Sequence, residues 1–343
     1  MKLTIPKKLN KGDTIGVVSP SAGLGPIFPH RIKQAEKNLA KIGFKVKYAK
    51  NSLKNYGYVS ASAKERADDI LEMFLDKEVK AIITTIGGDH SNQVLKYLDF
   101  EIIKNNPKIF MGYSDITVLH FAFAANANLR TYYGPCIIAE LAEYPEILPY
   151  TLEYFKKALT KTEPIGNIPQ SKLWTSEFLN WFEKKDQIRS RKMVLTRGYE
   201  WWKEGTVHGN ILGGCVPSIN HLTGTEYWND FDGKIMFIDI PEGNPGEKFS
   251  LANLDSFLAD LDNLGIFKNI KGLIIGRPYF YEEEDNKKLK NIIEYYTKDY
   301  NYPILFNANI GHASPIITIP LGAEVFLDSQ KNIFEIKEAG VAE

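Results

Sequence analysis

The stretch KIFMGYSDITVLHFAF, residues 108–123, places Ser114 and Asp115 between an apolar run and an amphipathic run. The first run predicts a buried strand and the second a helix. A serine at such a turn can expose its hydroxyl as a nucleophile, while the backbone N–H groups that follow it point into the same space. The alternative is that Ser114 or Asp115 only caps the helix, a position that both residue types favour. The stretch by itself leaves both interpretations open.

A serine nucleophile requires a base, and the sequence contains six histidines. His312 follows the apolar run PILFNANIG and has small neighbours, which suits an imidazole that must reach across a cleft. His120 and His221 lie in helical stretches, where packed side chains are expected. The other three, His30, His90 and His208, lie in predicted loops or turns. His312 is therefore our candidate base, although a lone histidine in a loop is also typical of a structural role.

A carboxylate would be needed to orient the imidazole and to stabilise its protonated form. The stretch GKIMFIDIPEGNPGEKFS offers Asp239, near the end of an apolar strand, and Glu242, just after Pro241. An unpaired acid is unfavourable at the edge of a buried strand, which favours a functional role for either residue. Asp239 also fits a simple loop cap, so the residues alone do not decide between the two.

A pair of glycines marks another predicted strand end, in TTIGGDHSN, residues 84–92. Backbone at Gly87 and Gly88 can approach a ligand closely and donate N–H groups to it, although a tight turn would use the same residues. The run SPSAGLG, residues 19–25, lacks both the spacing of a dinucleotide fingerprint and the Lys-Ser/Thr of a phosphate loop. This argues against a nicotinamide-dependent dehydrogenase.

The elements that would position these residues follow an alternating pattern. Short β-branched runs alternate with longer periodic runs, which predicts an open α/β fold with parallel strands and ligands at their carboxyl ends. Helices are predicted over 30–43, 61–77, 251–264 and 283–298, and a shorter one over SNQVLKYL. From about 150 to 205 the pattern fails, which is typical of a functional loop or a connection between domains. We therefore predict an N-terminal domain (1–165), an irregular substrate loop or linker (166–205) and a C-terminal domain (206–343).

Composition excludes several classes of function. Lys and Arg together number 42, as do Asp and Glu, which removes the electrostatic argument for a nucleic-acid partner. No segment is long and apolar enough to predict a membrane span, and the first residues do not resemble a secretory signal, so we expect a cytoplasmic protein. Cys136 and Cys215 lack metal-binding spacing and are expected to be small buried residues.

Seven blocks together resemble the LD-carboxypeptidase family of serine peptidases, and most closely its microcin C immunity branch. The blocks are GVVSPSAG, TTIGGDHSNQVL, IFMGYSDITVLH, YYGP, GNILGGCVPSINHLTGT, GLIIGRP and NANIGHASPIITIPLG. They occur in family order between about residues 14 and 327. The resemblance implies a Rossmann-like N-terminal domain with a parallel sheet and a smaller, β-rich α/β C-terminal domain. It also implies a cytoplasmic, metal-independent and cofactor-free enzyme that forms a homodimer.

The same resemblance implies a Ser-Glu-His triad and assigns roles to individual residues. Ser114 matches the nucleophile of the GYSD block, and His312 matches the histidine of the GH block. The family has a glutamate at the end of the strand that carries the acid: an ungapped comparison gives Asp239, whereas counting back from the next helix gives Glu242, which we favour. The backbone N–H groups of Asp115 and Gly88 would form the oxyanion hole.

Two substrate classes are implied by the resemblance: a muropeptide with a terminal D-alanine after an L-centre, and a peptidyl or aminoacyl nucleotide. In the irregular segment, Trp174, Trp181, Trp201 and Trp202 could stack on an adenine, with Gly87 close to the substrate, or simply pack the domain junction. Similarity of this segment to the immunity branch favours the first interpretation. The rival from another class is a non-catalytic protein that holds a small anionic ligand at Gly87, Gly88 and Ser114.

Overall fold

The structure is a computed structural model that describes residues 3–244 and 246–343. The strands are β1 Thr14–Val18, β2 Lys45–Tyr48, β3 Val79–Thr84, β4 Ile109–Gly112, β5 Tyr132–Tyr133, β6 Gly166–Asn167, β7 Leu173–Trp174, β8 Val194–Leu195, β9 Glu200–Lys203, β10 Thr206–Cys215, β11 Ile235–Asp239, β12 Gly272–Gly276, β13 Ile304–Ala308, β14 Ile319–Pro320, β15 Glu324–Asp328 and β16 Ile333–Ile336. The α-helices are α1 Pro29–Lys41, α2 Ala63–Leu75, α3 Phe100–Asn105, α4 Thr117–Ala127, α5 Pro149–Thr160, α6 Val216–Asn220, α7 Leu251–Asn263, α8 Ile266–Asn269 and α9 Glu283–Thr297. Short 3₁₀ helices cover Ser91–Tyr97, Ser114–Ile116, Glu140–Ala142 and Lys185–Gln187.

The first sheet has the strand order β14-β5-β4-β3-β1-β2. Strands β1 to β5 are parallel, and helices or loops return the chain between them. The central strands β1, β3 and β4 are almost entirely buried, as expected for β-branched, apolar runs covered on both faces. Strand β14 comes from the C-terminal half and pairs with β5 in the antiparallel sense.

The second sheet has the order β6-β16-β15-β10-β11-β12-β13-β9. Its centre is the parallel set β10, β11, β12 and β13, flanked by antiparallel pairings. The mixed α/β class predicted from the sequence, with a parallel sheet followed by a strand-rich second unit, is therefore confirmed. Among the described residues, no helix combines the length and apolarity that a membrane crossing requires.

Three strand ends from the two sheets carry the candidate residues. Strand β4 ends two residues before Ser114, Asp239 is the last residue of β11, and His312 follows the end of β13 by four residues. All three ends are carboxyl ends of parallel strands, where loops open a crevice in folds of this type.

Most predicted elements are present, and two predictions are wrong. We predicted irregular structure from about residue 150, but helix α5 covers the first part of that range. It begins at Pro149, and one face of it is buried, formed by Thr151, Tyr154, Phe155, Ala158 and Leu159. The predicted helix over SNQVLKYL is a 3₁₀ helix, a geometry common in short connecting segments. Between residues 166 and 205 the chain forms only short strands and one 3₁₀ turn.

Candidate active site

Ser114 occupies a strained turn and does not cap a helix. Its φ is 62°, in the left-handed region that non-glycine residues seldom adopt outside functional sites and special turns. The following helix α4 has no side-chain cap, and the Ser114 hydroxyl instead lies 3.0 Å from Nε2 of His312. Thr117 donates its hydroxyl hydrogen bond to the Ser114 carbonyl at 2.7 Å. The nucleophile interpretation of the turn therefore fits the geometry, and the capping interpretation does not.

His312 reaches Ser114 because the loop after β13 passes very close to the end of β11. Gly311 has a φ of 90°, and a Cβ atom at this position would overlap the Asp239 carboxylate, so only glycine fits. The ring of Tyr113 packs edge-on against the imidazole, with 5.0 Å between the centroids. The His312 side chain is 7% exposed.

Asp239, and not Glu242, contacts the imidazole. Nδ1 of His312 lies 3.1 Å from Oδ1 and 2.9 Å from Oδ2 of Asp239, whose side chain is fully buried. Glu242 is exposed and lies in a turn that forms an isolated backbone bridge with Lys248. Our preference for Glu242 disagrees with this arrangement. The close passage of Gly311 brings the imidazole near the strand end, so the shorter aspartate side chain is long enough.

The charges around His312 favour its protonated form. Burial acts to lower the pKa of the imidazole, but the Asp239 carboxylate, through its charge and its hydrogen bond, opposes this effect. The negative charges of Glu242 and Glu140 act in the same direction, and together they raise the pKa to about 9. Glu242 therefore influences the imidazole through its charge, without contacting it.

Gly88 and Asp115 carry the two backbone N–H groups that the sequence predicts for an oxyanion hole. Within the part of the chain that the structure describes, neither Gly88 nor Asp115 donates its N–H to another protein group. Gly87 lies against the nucleophile: a Cβ atom there would be 3.0 Å from Ser114 Cβ and 3.3 Å from its Oγ. Gly88 has a φ of 140°, which disfavours a side chain. Gly87 thus allows the loop to approach Ser114, and Gly88 allows it to pass close to Ser21 and Ala22.

The Asp115 side chain ties this glycine loop to the nucleophile turn. Its Oδ2 accepts hydrogen bonds from the backbone N–H groups of His90, at 3.0 Å, and Ser91, at 2.8 Å. The Ser91 hydroxyl donates to the Asp115 carbonyl at 2.7 Å. A fully buried carboxylate with two backbone donors is a strong cross-link. Asp115 therefore connects the turn at Ser114 to the segment that directly follows the glycine pair.

Two contacts of the site, both made by Tyr133, were not predicted from the sequence. Tyr133 in the YYGP block donates its hydroxyl to Asp239 at 2.5 Å and accepts from the Ser114 N–H at 3.1 Å. The YYGP block belongs to the family resemblance, but no pattern in it assigns a role to its second tyrosine. The only available signal was a polar hydroxyl in a short run expected to be buried.

The predicted tryptophans do not converge. Trp174 and Trp202 line one cavity of about 420 Å³, where Trp174 stacks on the Arg277 guanidinium and Trp202 on Phe306. Trp181 lies elsewhere, with the Arg31 guanidinium 4.4 Å above its ring. The indole N–H of Trp201 donates to Asn332 at 2.8 Å.

A buried cluster of ion pairs connects the irregular segment (166–205) to helix α1. Asp186, which is 5% exposed, lies 3.0 Å from the Arg31 guanidinium and 3.3 Å from Nε2 of His30. Arg191 pairs with Glu143 at 2.6 Å a few residues later. The sequence did not predict this anchoring, because Asp186 lies 155 residues from Arg31 and Arg191 lies 48 residues from Glu143.

Other chemistry-bearing residues have structural surroundings. Cys136 and Cys215 are free and buried, and burial raises the pKa of both thiols, so neither is a reactive thiolate. His120 is buried, with a pKa lowered by burial to about 4, and its Nε2 contacts the Gly112 carbonyl at 2.9 Å. Over residues 3–244 and 246–343, no cluster of three or more His, Cys, Asp or Glu side chains could hold a metal ion.

Comparison with known proteins gives consistent matches over both halves of the chain. The sequence model of the LD-carboxypeptidase N-terminal domain matches residues 15–134, and that of the LD-carboxypeptidase C-terminal domain matches residues 208–327. The Bacillus subtilis protein YocD, named as a carboxypeptidase, is 34% identical over 318 residues, 92% of this chain and 93% of the relative. The Escherichia coli microcin C7 self-immunity protein MccF is 30% identical over 326 residues, 94% of this chain and 92% of the relative.

Two further matches extend the comparison. A Bacillus subtilis protein with the name probable murein peptide carboxypeptidase is 29% identical and covers 98% of this chain and 95% of its own length. The solved structure of MccF in complex with aspartyl sulfamoyl adenosine superimposes with a TM-score of 0.90 at 28% identity, covering 99% of this chain and all of that one.

Proposed function

Because the chain belongs to the LD-carboxypeptidase family, we propose that it is a serine-type hydrolase whose triad is Ser114, His312 and Asp239. The observation that carries the proposal is the continuous contact from the Ser114 hydroxyl, through both ring nitrogens of His312, to a fully buried carboxylate. This is the arrangement by which a base is oriented and its protonated form is stabilised. It joins residues 198 positions apart in the chain.

The proposed reaction has two stages. Neutral His312 takes the Ser114 hydroxyl proton at Nε2 as Oγ attacks the carbonyl carbon of the scissile amide or acyl bond. The N–H groups of Gly88 and Asp115 stabilise the oxyanion, and His312 returns the proton to the leaving group. A water molecule then attacks the acyl-enzyme by the same path in reverse and releases the acid. Asp239 stays ionised throughout and balances the imidazolium charge.

For the substrate, we favour an aminoacyl or peptidyl nucleotide. Full-length similarity to MccF supports this choice, because that protein is named for self-immunity to microcin C7 and was solved with an aminoacyl sulfamoyl adenosine. The cavity at Trp174 and Trp202 offers aromatic rings and the Arg277 guanidinium, a combination suited to a planar, anionic group. A homodimer of this chain remains our prediction for its assembly.

A second candidate substrate is a murein peptide with a terminal D-alanine. The specific observation in its favour is the similarity, over 98% of this chain, to the probable murein peptide carboxypeptidase of Bacillus subtilis. The triad chemistry is the same for both substrates, since each reaction is acyl transfer from a carbonyl carbon to Ser114 and then to water. Only the groups that bind the two ends of the substrate would differ.

The test is a panel of purified wild-type protein, Ser114→Ala and His312→Ala on an aminoacyl sulfamoyl adenosine and on an L,D-tetrapeptide. We expect the wild type to hydrolyse one of them and each variant to lose at least about a thousandfold in kcat. The variants should unfold at nearly the same temperature as the wild type. A serine-reactive fluorophosphonate probe should label Ser114 in the wild type only. An unlabelled wild type that binds a substrate analogue without cleaving it would instead favour the non-catalytic binding protein.

A further inference from the structure

The buried hydroxyl of Tyr133 joins the backbone of the proposed nucleophile to the carboxylate of the proposed acid. Tyr133 ends strand β5, is 1% exposed and lies opposite Gly112 of β4, two residues before Ser114. Its oxygen lies 3.1 Å from the Ser114 nitrogen and 2.5 Å from Oδ2 of Asp239. A backbone N–H can only donate and an ionised carboxylate can only accept. The hydroxyl therefore accepts from Ser114 and gives its single proton to Asp239.

These contacts close a ring of hydrogen bonds around the site. From the Ser114 N–H the ring runs to the Tyr133 hydroxyl, to Asp239 and to His312, and it returns to the Ser114 hydroxyl. Tyr133 belongs to the first sheet and Ser114 follows its strand β4, whereas Asp239 belongs to the second sheet and His312 follows its strand β13. A closed ring restrains each member from two sides, so a shift of one side chain must break a buried hydrogen bond.

The ring also supports the strained backbone of the nucleophile. Ser114 has a φ of 62° and lacks the conformational freedom of glycine, so its surroundings must hold it in this conformation. The Tyr133 hydroxyl holds its N–H, and the Thr117 hydroxyl holds its carbonyl. With its N–H occupied in this way, Ser114 leaves the oxyanion to the N–H groups of Gly88 and Asp115.

We infer that Tyr133 is a positioning residue of the hydrolase, which aligns Ser114 and Asp239 at once through a single hydroxyl. The inference rests on the proposed function, because it assigns Tyr133 a part in the same reaction. Tyr133 does not reach the reacting atoms and acts only through its two partners. The alternative is a purely structural role. The aromatic ring of Tyr133 would then only pack against Phe237, and its hydroxyl would only provide hydrogen bonds to the buried Ser114 N–H and Asp239 carboxylate.

The neighbouring residue provides a matched control. Tyr132 lies on the same strand, is fully buried and donates its hydroxyl to the Gly340 carbonyl at 2.7 Å, outside the ring. Tyr133→Phe and Tyr132→Phe each remove one buried hydroxyl from β5 and leave the aromatic side chain in place. A structural role predicts the same behaviour for both variants, namely lower stability with unchanged kinetics. A positioning role predicts a kinetic loss in Tyr133→Phe alone.

The expected loss is in turnover, with a shift of the pH profile. Misplacement of a catalytic group by a fraction of an ångström can reduce kcat by about 10- to 100-fold, and we expect Tyr133→Phe to do so with KM within about twofold. Without the phenol donor, the Asp239 carboxylate is less stabilised and attracts the His312 proton more strongly. The rise of kcat/KM with pH, which follows deprotonation of His312, should therefore move to higher pH. The other ionisable groups that face the imidazole, Glu242, Glu140 and Tyr113, are the same in both variants.

The experiment measures kcat, KM and the pH profile for the wild type, both tyrosine variants and Ser114→Ala. NMR titration of the His312 ring protons, assigned with His312→Asn, gives a second readout that needs no substrate. If Tyr133→Phe fails to fold, 3-fluorotyrosine placed at position 133 retains all four hydrogen bonds around the site and has a more acidic phenol. It should move the His312 titration in the opposite direction, to lower pH.

The outcomes separate the two proposals. Loss of turnover and an upward titration shift in Tyr133→Phe, both absent in Tyr132→Phe, would support the positioning role. Inactive Ser114→Ala together with wild-type kinetics and titration in Tyr133→Phe would overturn the positioning role and leave the hydrolase standing. Full activity of Ser114→Ala would overturn the hydrolase, and the positioning role with it.

Discussion

At the scale of single residues, the charge around His312 sets the pH dependence of the proposed reaction. The imidazole must be neutral to accept the Ser114 proton, but Asp239, Glu242 and Glu140 together hold its pKa at about 9, against the effect of burial. The neutral form is therefore scarce at pH 7 and increases as the pH rises. We predict that kcat/KM increases with pH and levels off above about pH 9, where His312 is neutral. A rate that is flat from pH 6 to 9, in the absence of a slow step after chemistry, would contradict this assignment.

The two candidate acids are separated by the same measurement. Glu242→Gln removes a negative charge that acts on the imidazole, so the pKa of His312 should fall. The rise of kcat/KM should then occur at lower pH, and kcat should be retained. Asp239→Asn removes the acceptor of the Nδ1 proton and should reduce kcat on the order of 10⁴-fold. Glu247→Gln, which changes an exposed acid of the same loop, is the control for charge alone and should leave the profile in place. A larger loss in Glu242→Gln than in Asp239→Asn would return Glu242 to the triad.

Sequence patterns predict some residues of this site but not others, and the difference has a physical reason. Ser114 and His312 could be proposed because each follows an apolar strand, and the ends of parallel strands lie at one edge. The choice of acid depends on how closely the loop at Gly311 passes β11, which no local pattern encodes. Tyr133 acts through the pairing of β5 with β4. Its role becomes visible only when the sheet order is known.

At the scale of elements, the irregular segment has little regular secondary structure, and we expect it to open separately from the sheets. It exposes several large apolar side chains, among them Phe182, Ile188 and Leu195. One of its buried attachments is Asp186, which pairs with His30 and Arg31 of α1. Segments with few buried apolar contacts open at lower free energy than the core. The failure of periodicity correctly indicated irregular backbone here, but it could not identify the anchor.

We predict that Asp186→Ala loosens this segment without unfolding the protein. Breaking one side of a buried ion pair costs about 3–5 kcal/mol, because Arg31 is left buried without its acid. Limited proteolysis between residues 176 and 193 should be at least about tenfold faster, and KM should rise more than kcat falls, since the triad lies on other elements. Glu183→Ala is the control, as its pair with Lys185 is exposed and worth about 0–1 kcal/mol. Equal proteolysis of both variants would show that Asp186 is not the anchor.

At the scale of the whole molecule, the two halves share their apolar cores. Each of the two large buried clusters contains residues from before 170 and from after 210. Strand β14 completes the first sheet from the C-terminal half, and near the C-terminus Ala342 exchanges backbone hydrogen bonds with Pro6 and Lys8. The family and the fold class predicted from the sequence are confirmed, yet composition and periodicity could not show this sharing. The boundaries at 165 and 206 remain a prediction.

Shared cores predict that the chain unfolds as one cooperative unit, although chains of this length often unfold domain by domain. Phe267 of α8 is fully buried in the cluster that also contains Phe121 and Phe123 of α4. Phe267→Ala should cost about 3–5 kcal/mol. Because the cluster is common to both halves, amide exchange should accelerate in α4 as well as in α7 and α9. Leu264→Ala, at a partly exposed apolar position three residues earlier, is the control and should leave protection almost unchanged. Calorimetry should give one transition for each variant. Two separate transitions, with faster exchange in Phe267→Ala confined to the C-terminal half, would show instead that the halves are energetically independent despite their common core.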